Sequence, residues 1–349
     1  MLSDTKVRII FVYLMYKSFQ SSSTLELDIS KLISIKEENN YVATALSDYI
    51  NYSPCAISPS LIKEADPDNS LPRESLYAAL LAGLCNFRED DHESTYYLRK
   101  GVKRLDTSTF KNNTYYKSIK FPEKALGGWK LTHTAYKPYE AFVRDDLLFE
   151  QEIIEIPQIG FFENRFVFPS VQQNGREWMA IKPSEILSMQ PSLDLVSGKI
   201  VTFGLGLGYF PFMASMKPSV SDITIVEIDP TAIALFERFL LPQFQHKEKI
   251  HIVNSDAFEY MEHDMPSQQF DYAFVDLWHD NSDGLELFLR ATKLEKYSSH
   301  TRFLYWIEKF LLSAFRWKEY DNILADSSCY EEAVRNLSEE GLKIRIHKD

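Results

Sequence analysis

The sequence predicts an α/β protein built around a doubly wound parallel sheet, and two observations carry that prediction. The first is the apolar run Lys199–Phe203, which passes directly into alternating glycines at Gly204, Gly206 and Gly208. The second is a set of three further apolar runs, separated by helical stretches, that end in or lead to acidic residues; they start at positions 223, 250 and 272. Buried strands that alternate with helices and carry glycine or acid at their tips are typical of such a sheet, whose site lies at the carboxyl ends of the strands.

Four segments within this part of the chain resemble the core of class I S-adenosylmethionine-dependent methyltransferases, in the branch similar to spermidine synthases. They are VTFGLGLGYF, ITIVEIDPTAI, IHIVNSDAFEYM and FDYAFVDLWHD, and the resemblance covers roughly residues 170–285. It implies a Rossmann-like domain, S-adenosylmethionine as cofactor and a small-molecule acceptor. We therefore expect methyl transfer, with aminopropyl transfer of the spermidine synthase type or a catalytically silent binding module as alternatives.

The glycine loop is the first candidate cofactor site. Glycines without Cβ atoms allow a sharp turn and let a ligand lie directly on the backbone at Gly204, Gly206 and Gly208. Tyr209 then begins a helix whose free N–H groups would face the carboxylate of the methionine part. The dinucleotide fingerprint GxGxxG needs glycine at position 209, so the sequence disfavours NAD.

The second and third strand tips supply the next candidates. Glu227 ends the second run, where a carboxylate can accept hydrogen bonds from both ribose hydroxyls. Asp229 precedes Pro230 and fits a helix N-cap. The resemblance implies that Asp256 accepts from the adenine amino group and that the backbone N–H of Ala257 meets the ring, although Asp256 with Glu259 also fits a capping box.

Asp276 ends the fourth run and is the candidate orienter or general base beside the reacting sulfonium. His279 follows as a second candidate catalytic residue that can take a proton near neutral pH, or a solvated loop side chain. Spermidine synthases carry an Asp-Ser-Ser-Asp signature here, whereas this chain has Leu277 and Trp278 in place of the serines, His279 at the second acid and Asp280 displaced by one. Trp278 and Asp280 are candidate substrate residues, and this pattern predicts no turnover of putrescine.

The remainder divides into three predicted parts: a helical N-terminal domain over 1–150, a small β module or linker over 151–190 and a Rossmann-like domain over 191–349. We expect the first part to cover the cleft or mediate assembly, which is compatible with a homo-oligomer. Helices are predicted at Ser75–Leu84 and Tyr139–Phe149, and short strands at Ile153–Pro157 and Arg165–Pro169. Within the module, the resemblance makes Glu177 and Trp178 candidate cleft residues, with Trp178 in the core as the alternative.

Segments near the two ends complete the secondary-structure prediction. Residues 7–16 are largely apolar and fit a core helix better than a targeting or membrane segment. After Asp276 the expected strands are hard to find, because Arg302–Phe315 fits one helix, Glu331–Glu340 another, and Leu342–Ile346 a last strand. The distal half of the sheet is therefore expected to be shortened or rebuilt.

The composition of the chain limits which partners and cellular environment it is expected to have. The chain has 349 residues, 38 Lys+Arg against 50 Asp+Glu and a net charge of −12, which disfavours general binding to a nucleic-acid backbone. Its three cysteines are far apart, with no CxxC pair, which indicates a reduced, cytoplasmic protein without structural zinc. No membrane partner and no metal are expected.

Overall fold

The computed structural model describes residues 29–88, 91–150, 153–278 and 281–325. The predicted helices at 7–16 and 331–340, the predicted strand at 342–346, and the site candidates His279 and Asp280 lie outside these residues.

The carboxyl-terminal half of the described chain forms a five-stranded parallel sheet, which confirms the predicted Rossmann-like doubly wound fold. The strands are β10 (Gly198–Phe203), β11 (Val220–Glu227), β12 (Ile250–Asn254), β13 (Tyr272–Val275) and β14 (Arg302–Tyr305), and they lie in the order β12-β11-β10-β13-β14. The reversal of strand order between β10 and β13 opens a crevice at their carboxyl ends, where ligands bind in sheets of this kind.

Helices cover both faces of this sheet. They are α7 (Pro183–Leu195), α8 (Tyr209–Ser215), α9 (Pro230–Phe239), α10 (Ala257–Glu259), α11 (Asn281–Leu294) and α12 (Glu308–Ala325). Ile200 and Phe274 belong to one apolar cluster, whereas Val201 and Val275 belong to the cluster on the opposite face, as the two-residue period of a strand requires. Phe210 of α8 stacks on Phe274 with ring centroids 3.8 Å apart.

The strand β14 corrects the prediction of a single helix over Arg302–Phe315. The first four residues pair in parallel with β13, and a helix begins only at Glu308. The apolar run RFLYW has no polar alternation because apolar clusters cover both faces of this parallel strand, and such a run cannot be told from a buried helix by periodicity. Within the described residues, the sheet therefore continues for one strand beyond Asp276.

The amino-terminal part contains the helices and short strands that precede the sheet. They are α1 (Ile29–Tyr52), α2 (Pro59–Ala65), α3 (Arg73–Leu84), α4 (His92–Gly101), β1 (Lys103–Leu105), α5 (Thr107–Lys111) and α6 (Thr114–Ser118). The predicted helix at Ser75–Leu84 is confirmed by α3. Leu46, Tyr77 and Leu98 belong to a shared apolar core for the longer helices.

Further strands lie between these helices and the parallel sheet. They are β2 (Lys124–Leu126), β3 (Trp129–Tyr136), β4 (Phe142–Val143), β5 (Leu148–Glu150), β6 (Ile154–Ile156), β7 (Ile159–Phe162), β8 (Phe166–Gln173) and β9 (Arg176–Ala180). The strands predicted at Ile153–Pro157 and Arg165–Pro169 are confirmed by β6 and β8. The helix predicted at Tyr139–Phe149 is wrong: its residues form β4 and β5, because pairing with β7 and β6 outweighs their local preference.

The β structure also begins earlier than the predicted module boundary at residue 150. Strands β2, β3, β8 and β9 form one antiparallel sheet, hereafter the module sheet, which starts at Lys124 and is joined by a turn at Gly127 and Gly128. The module sheet packs directly on the parallel sheet's helices, since Leu131 and Val171 share an apolar cluster with Leu207 and Phe236. The division into separately folding units remains a prediction.

Candidate functional site

The glycine loop connects β10 to α8 at the carboxyl edge of the parallel sheet. All three glycines have positive φ: +96° at Gly204, +49° at Gly206 and +70° at Gly208. Each is also packed against the protein itself. A Cβ on Gly204 would lie 2.1 Å from the carbonyl oxygen of Asp276, one on Gly206 would lie 2.2 Å from the Met179 sulfur, and one on Gly208 would lie 2.4 Å from the Phe236 ring. The loop therefore needs glycine for its own fold as well as for any ligand.

The Glu227 carboxylate lies beside this loop, as predicted from its place at the end of β11. Its Oε2 accepts a hydrogen bond from the backbone N–H of Leu205 at 3.1 Å, and its Oε1 accepts from the backbone N–H of Asp229 at 2.9 Å. These two bonds fix the carboxylate between the glycine loop and the start of α9. Each oxygen retains a lone pair for a further donor such as a ribose hydroxyl.

Asp229 is the N-cap of α9, which confirms the predicted cap. Its Oδ1 accepts from the backbone N–H groups of Thr231 and Ala232, and its Oδ2 accepts from the indole N–H of Trp129 at 3.0 Å. Burial acts to raise the pKa of Asp229, but these hydrogen bonds outweigh it and hold the pKa below its usual value. The carboxylate thus ties the module sheet to the parallel sheet.

Asp256 and Ala257 stand at the carboxyl end of β12. Asp256 caps α10: its Oδ1 accepts from the backbone N–H groups of Phe258 at 2.9 Å and Glu259 at 3.1 Å. These bonds are the N-cap half of the capping box that the sequence allowed, whereas the Glu259 carboxylate lies 3.5 Å from the His263 ring. Ala257 is buried as the first residue of α10. The contact of both residues with adenine remains a prediction.

Asp276 follows β13 and faces a second carboxyl group that the sequence analysis did not identify, that of Glu185 on α7. Desolvation raises the pKa of Asp276 well above its ordinary value, and the charge of Glu185 raises it further. Glu185 is 7 % exposed, and burial raises its pKa to about 7, with Lys182 acting to lower it and Glu177 to raise it. Neither side chain has a hydrogen-bond or ion-pair partner within the described part of the chain.

A sequence signal for Glu185 did exist. Glu185 lies four residues before Met189 and eight before Leu193, so it occupies the apolar face of α7 that those buried residues define. A carboxyl group on a buried helix face is uncommon, because desolvation disfavours its charged form.

Glu177 lies on β9, close enough to Glu185 to affect its pKa. Its Oε2 accepts from the Thr134 hydroxyl at 3.1 Å, and its Oε1 lies 3.8 Å from the Lys182 ammonium group. Glu185 thus interacts electrostatically with Glu177 on β9 and with Asp276 after β13, and these three residues are hereafter the acidic group.

Trp178 is 45 % exposed, so it is not the core residue that the sequence allowed as an alternative. Its ring meets that of Trp129 edge to face, with centroids 5.7 Å apart. Both indoles line a small cleft that is open to solvent, together with Gly206, Leu207 and Glu227. We call this the tryptophan cleft.

Trp278, by contrast, is not placed with the other predicted substrate residues. It is buried in the apolar cluster on the opposite face of the sheet, where its ring lies near those of Phe288 and Tyr305. Residues 276 and 278 would share a face if β13 continued, but the strand ends at Val275 and its alternation ends with it. His279 and Asp280 lie outside the described residues.

Within the described ranges, no three His, Cys, Asp or Glu side chains are grouped so as to hold a metal ion. Across those ranges, the helices are too short or too polar to cross a membrane.

Comparisons with known proteins give structural likeness alone. No protein-family model matches the chain, and no curated protein matches it. Similar solved structures include spermidine synthase from Thermotoga maritima, with 15% identity, a TM-score of 0.31 and coverage of 43% of this chain and 56% of that one. Another is a spermidine synthase in complex with the transition-state analogue AdoDATO, with 14% identity, a TM-score of 0.30 and coverage of 43% and 55%. The chain thus spans about half the length of the structures it matches.

Proposed function

We propose that the protein is an S-adenosylmethionine-dependent methyltransferase acting on a small-molecule acceptor. The observation that carries the proposal is the meeting of the glycine loop with Glu227: the Leu205 N–H donates to Glu227 Oε2 at 3.1 Å, beside an open cleft at the carboxyl edge of the sheet. A carboxylate fixed there accepts hydrogen bonds from vicinal hydroxyls. The pairing of loop and acid fits a nucleoside cofactor.

The loop accommodates the cofactor's amino-acid end by moving one side chain. The Leu207 N–H donates to the Met179 sulfur at 3.2 Å, so the Met179 side chain covers this donor. A thioether is a weak acceptor on a flexible side chain, whereas a carboxylate accepts a stronger, charge-assisted bond. Replacement of the Met179 sulfur by the cofactor's carboxylate, as the acceptor of the Leu207 N–H, therefore favours the cofactor-bound state.

When bound, the cofactor supplies an electrophilic methyl group, and the chain's task is to hold the acceptor in line with it. Asp276, beside the glycine loop, is the residue that orients the acceptor nucleophile or takes its proton. Glu185 keeps Asp276 basic, because the second carboxyl disfavours a negative charge on the first. With its pKa raised to about 7, Glu185 itself can hold or release that proton near neutral pH.

Calorimetry and turnover test the proposal separately. We expect the purified protein to bind S-adenosylmethionine and S-adenosylhomocysteine, and not NAD. Incubation with methyl-labelled cofactor and a panel of small acceptors then reports transfer. Binding without transfer to any acceptor favours a catalytically silent module, and binding of NAD alone overturns the cofactor assignment.

Aminopropyl transfer is the second candidate, and the acidic group is the observation that favours it. Glu185 interacts electrostatically with both Glu177 and Asp276, and carboxyls in this arrangement would hold and deprotonate a cationic amine. Against it stands Lys182, whose ammonium group lies 3.8 Å from Glu177 and neutralises part of that charge. Competition between S-adenosylmethionine and its decarboxylated form, with product analysis, separates the two reactions.

A further inference from the structure

Asn254 and Glu227 end the neighbouring strands β12 and β11, and they are paired directly in the register of the parallel sheet. The Asn254 side chain is exposed at this edge. Its Nδ2 donates one hydrogen bond to the carbonyl oxygen of Glu227 at 2.9 Å and a second to the carbonyl oxygen of Ile228, also at 2.9 Å. One side chain of β12 thus holds two consecutive carbonyl groups at the tip of β11.

The chemistry of these partners requires an amide at position 254. Both partner atoms are carbonyl oxygens, which only accept, so the NH₂ group of Asn254 and not its oxygen must face them. An amide NH₂ carries two donors, one for each carbonyl. An ionised aspartate has nearly the same shape but no donor, and its charge would face the two oxygens.

The two hydrogen bonds fix the point at which the chain leaves β11. The Ile228 side chain is 64% exposed, so core packing contributes little to holding this turn. The same turn brings the Asp229 N–H to Glu227 Oε1 at 2.9 Å, while Oε2 accepts from the Leu205 N–H at 3.1 Å. Rotation of the peptide between residues 227 and 228 would displace the Asp229 N–H, and with it one of the two donors that orient the Glu227 carboxylate.

We propose that Asn254 is a positioning residue for ribose recognition: by holding the carbonyl groups of Glu227 and Ile228, it sets the direction in which the Glu227 carboxylate meets the ribose hydroxyls. The inference rests on the proposed function, because it takes Glu227 as the acceptor for the hydroxyls of a nucleoside cofactor. Glu227 is one of the residues that line the tryptophan cleft. Asn254 acts on the ligand through Glu227.

The test measures by calorimetry the affinities of S-adenosylhomocysteine, adenosine and 2′,3′-dideoxyadenosine, which lacks the vicinal ribose hydroxyls. N254A should weaken the first two about fivefold, the size of one lost neutral hydrogen bond, and leave the dideoxy nucleoside within about twofold. N254D should weaken the first two by about tenfold or more, because its carboxylate faces two carbonyl oxygens. The control N51A removes an exposed amide of α1 that donates to the Ser47 hydroxyl at 3.3 Å, and it should bind all three ligands like the wild type.

Two further measurements separate positioning from a general effect on the fold. In an E227A background, N254A should change the affinity for S-adenosylhomocysteine by less than about twofold, because the carboxylate that Asn254 orients is gone. Urea unfolding of N254A should keep nearly the wild-type midpoint, because the two lost hydrogen bonds lie at an exposed edge where water replaces the donors.

Three results would overturn the inference: wild-type affinity in N254A, an equal loss for adenosine and the dideoxy nucleoside, or full additivity of N254A and E227A. If the wild type binds neither S-adenosylhomocysteine nor adenosine, the proposed function fails and the inference falls with it. Binding by the wild type with no effect of N254A overturns the inference alone.

Discussion

The Tyr115 hydroxyl donates a hydrogen bond to the carbonyl oxygen of Leu207 at 2.7 Å, so a short helix 92 residues earlier in the chain holds the glycine loop. Asn113 at the start of the same helix donates to the Tyr209 hydroxyl at 2.9 Å. The Tyr115 side chain is fully buried, and burial raises its pKa far above the usual value. The geometry of the loop is therefore set partly from outside the parallel sheet.

Replacing Tyr115 by Phe should lower both stability and cofactor affinity. The variant leaves the Leu207 carbonyl buried without its donor, which should cost about 1–3 kcal/mol of unfolding free energy. Tyr116→Phe is the matched control, because its hydroxyl donates to the Ile181 carbonyl at 2.5 Å, away from the loop. Denaturant unfolding should detect a loss in both variants, and calorimetry should detect weaker binding in Tyr115→Phe alone. Equal affinity in the two variants would contradict a role in positioning the loop.

The Glu185 carboxyl should make stability depend on pH. Burial raises its pKa from 4.5 to about 7, so the folded state binds the proton more tightly than the unfolded state. Its contribution is fully present below about pH 4.5 and is lost as pH rises through about 7, in total on the order of 3 kcal/mol. Urea unfolding at a series of pH values should show that the unfolding free energy depends less on pH in Glu185→Gln than in wild type.

The exposed Glu259→Gln is the control for that measurement and should keep the wild-type slope. An equal dependence of the unfolding free energy on pH in wild type and Glu185→Gln would mean that Glu185 is not buried as described.

Replacing Glu227 by Ala should weaken cofactor binding by about 1.5–3 kcal/mol, because it removes a charged acceptor from the ribose hydroxyls. Glu227→Gln should lose less, since one oxygen remains an acceptor. Calorimetry with S-adenosylhomocysteine measures both. An affinity equal to that of the wild type would place the ribose contact on another residue.

Replacing Gly206 by Ala should destabilise the protein through two effects that can be separated. The residue has a φ of +49°, and the new Cβ would lie 2.2 Å from the Met179 sulfur. Gly175→Ala is the control for the first effect, because Gly175 has a φ of +83° and no atom within 4 Å of its added Cβ. Backbone strain of about 1–2 kcal/mol should appear in both variants, and the contact with Met179 only in Gly206→Ala.

The double variant Gly206→Ala with Met179→Ala completes this experiment. The double variant removes the contact between the new Cβ and the Met179 side chain. Its unfolding free energy should therefore be higher than the sum of the effects of the two single variants predicts. Strict additivity would show that the Met179 side chain moves away without cost.

Putrescine with decarboxylated S-adenosylmethionine should give no spermidine, and the carboxylated cofactor should bind more tightly than the decarboxylated one. The reason lies in the sequence after Asp276, where the position of the second acid in the Asp-Ser-Ser-Asp signature is occupied by His279. Chromatography of the reaction mixture measures the product. Spermidine in that mixture would favour aminopropyl transfer, with Glu177 or Glu185 as the amine-binding carboxylate.

The parts of the fold that were predicted from the sequence are those in which local pattern and tertiary structure agree. The strands that start near positions 199, 223, 250 and 272 are apolar runs closed by glycine or acid, and all four are confirmed. The run at Arg302 was misread because a strand covered on both faces has no alternation. Tyr139–Phe149 was misread because β4 and β5 form by pairing with β7 and β6, which lie outside the segment from which the helix was predicted.

The candidate site was predicted less completely, because part of it depends on tertiary packing rather than on local sequence pattern. Glu227 and Asp276 were found because strand order alone brings strand tips to one edge. Glu185 and the Trp129 contact depend on how α7 and the module sheet pack on that edge, and a single sequence carries no direct record of such packing. Trp178 was predicted as a cleft residue, but its contact with Trp129 was not predicted.

The contact between Gly204 and Asp276 bears on how glycine motifs are interpreted. A side chain at position 204 would collide with the main-chain oxygen that begins the loop after β13, an atom that no rotamer change can move. A descendant of this protein that had lost every ligand would still need that glycine to close its sheet. The GLGLG motif is thus a signature of architecture first, and an inactive relative would be indistinguishable by it from an active one.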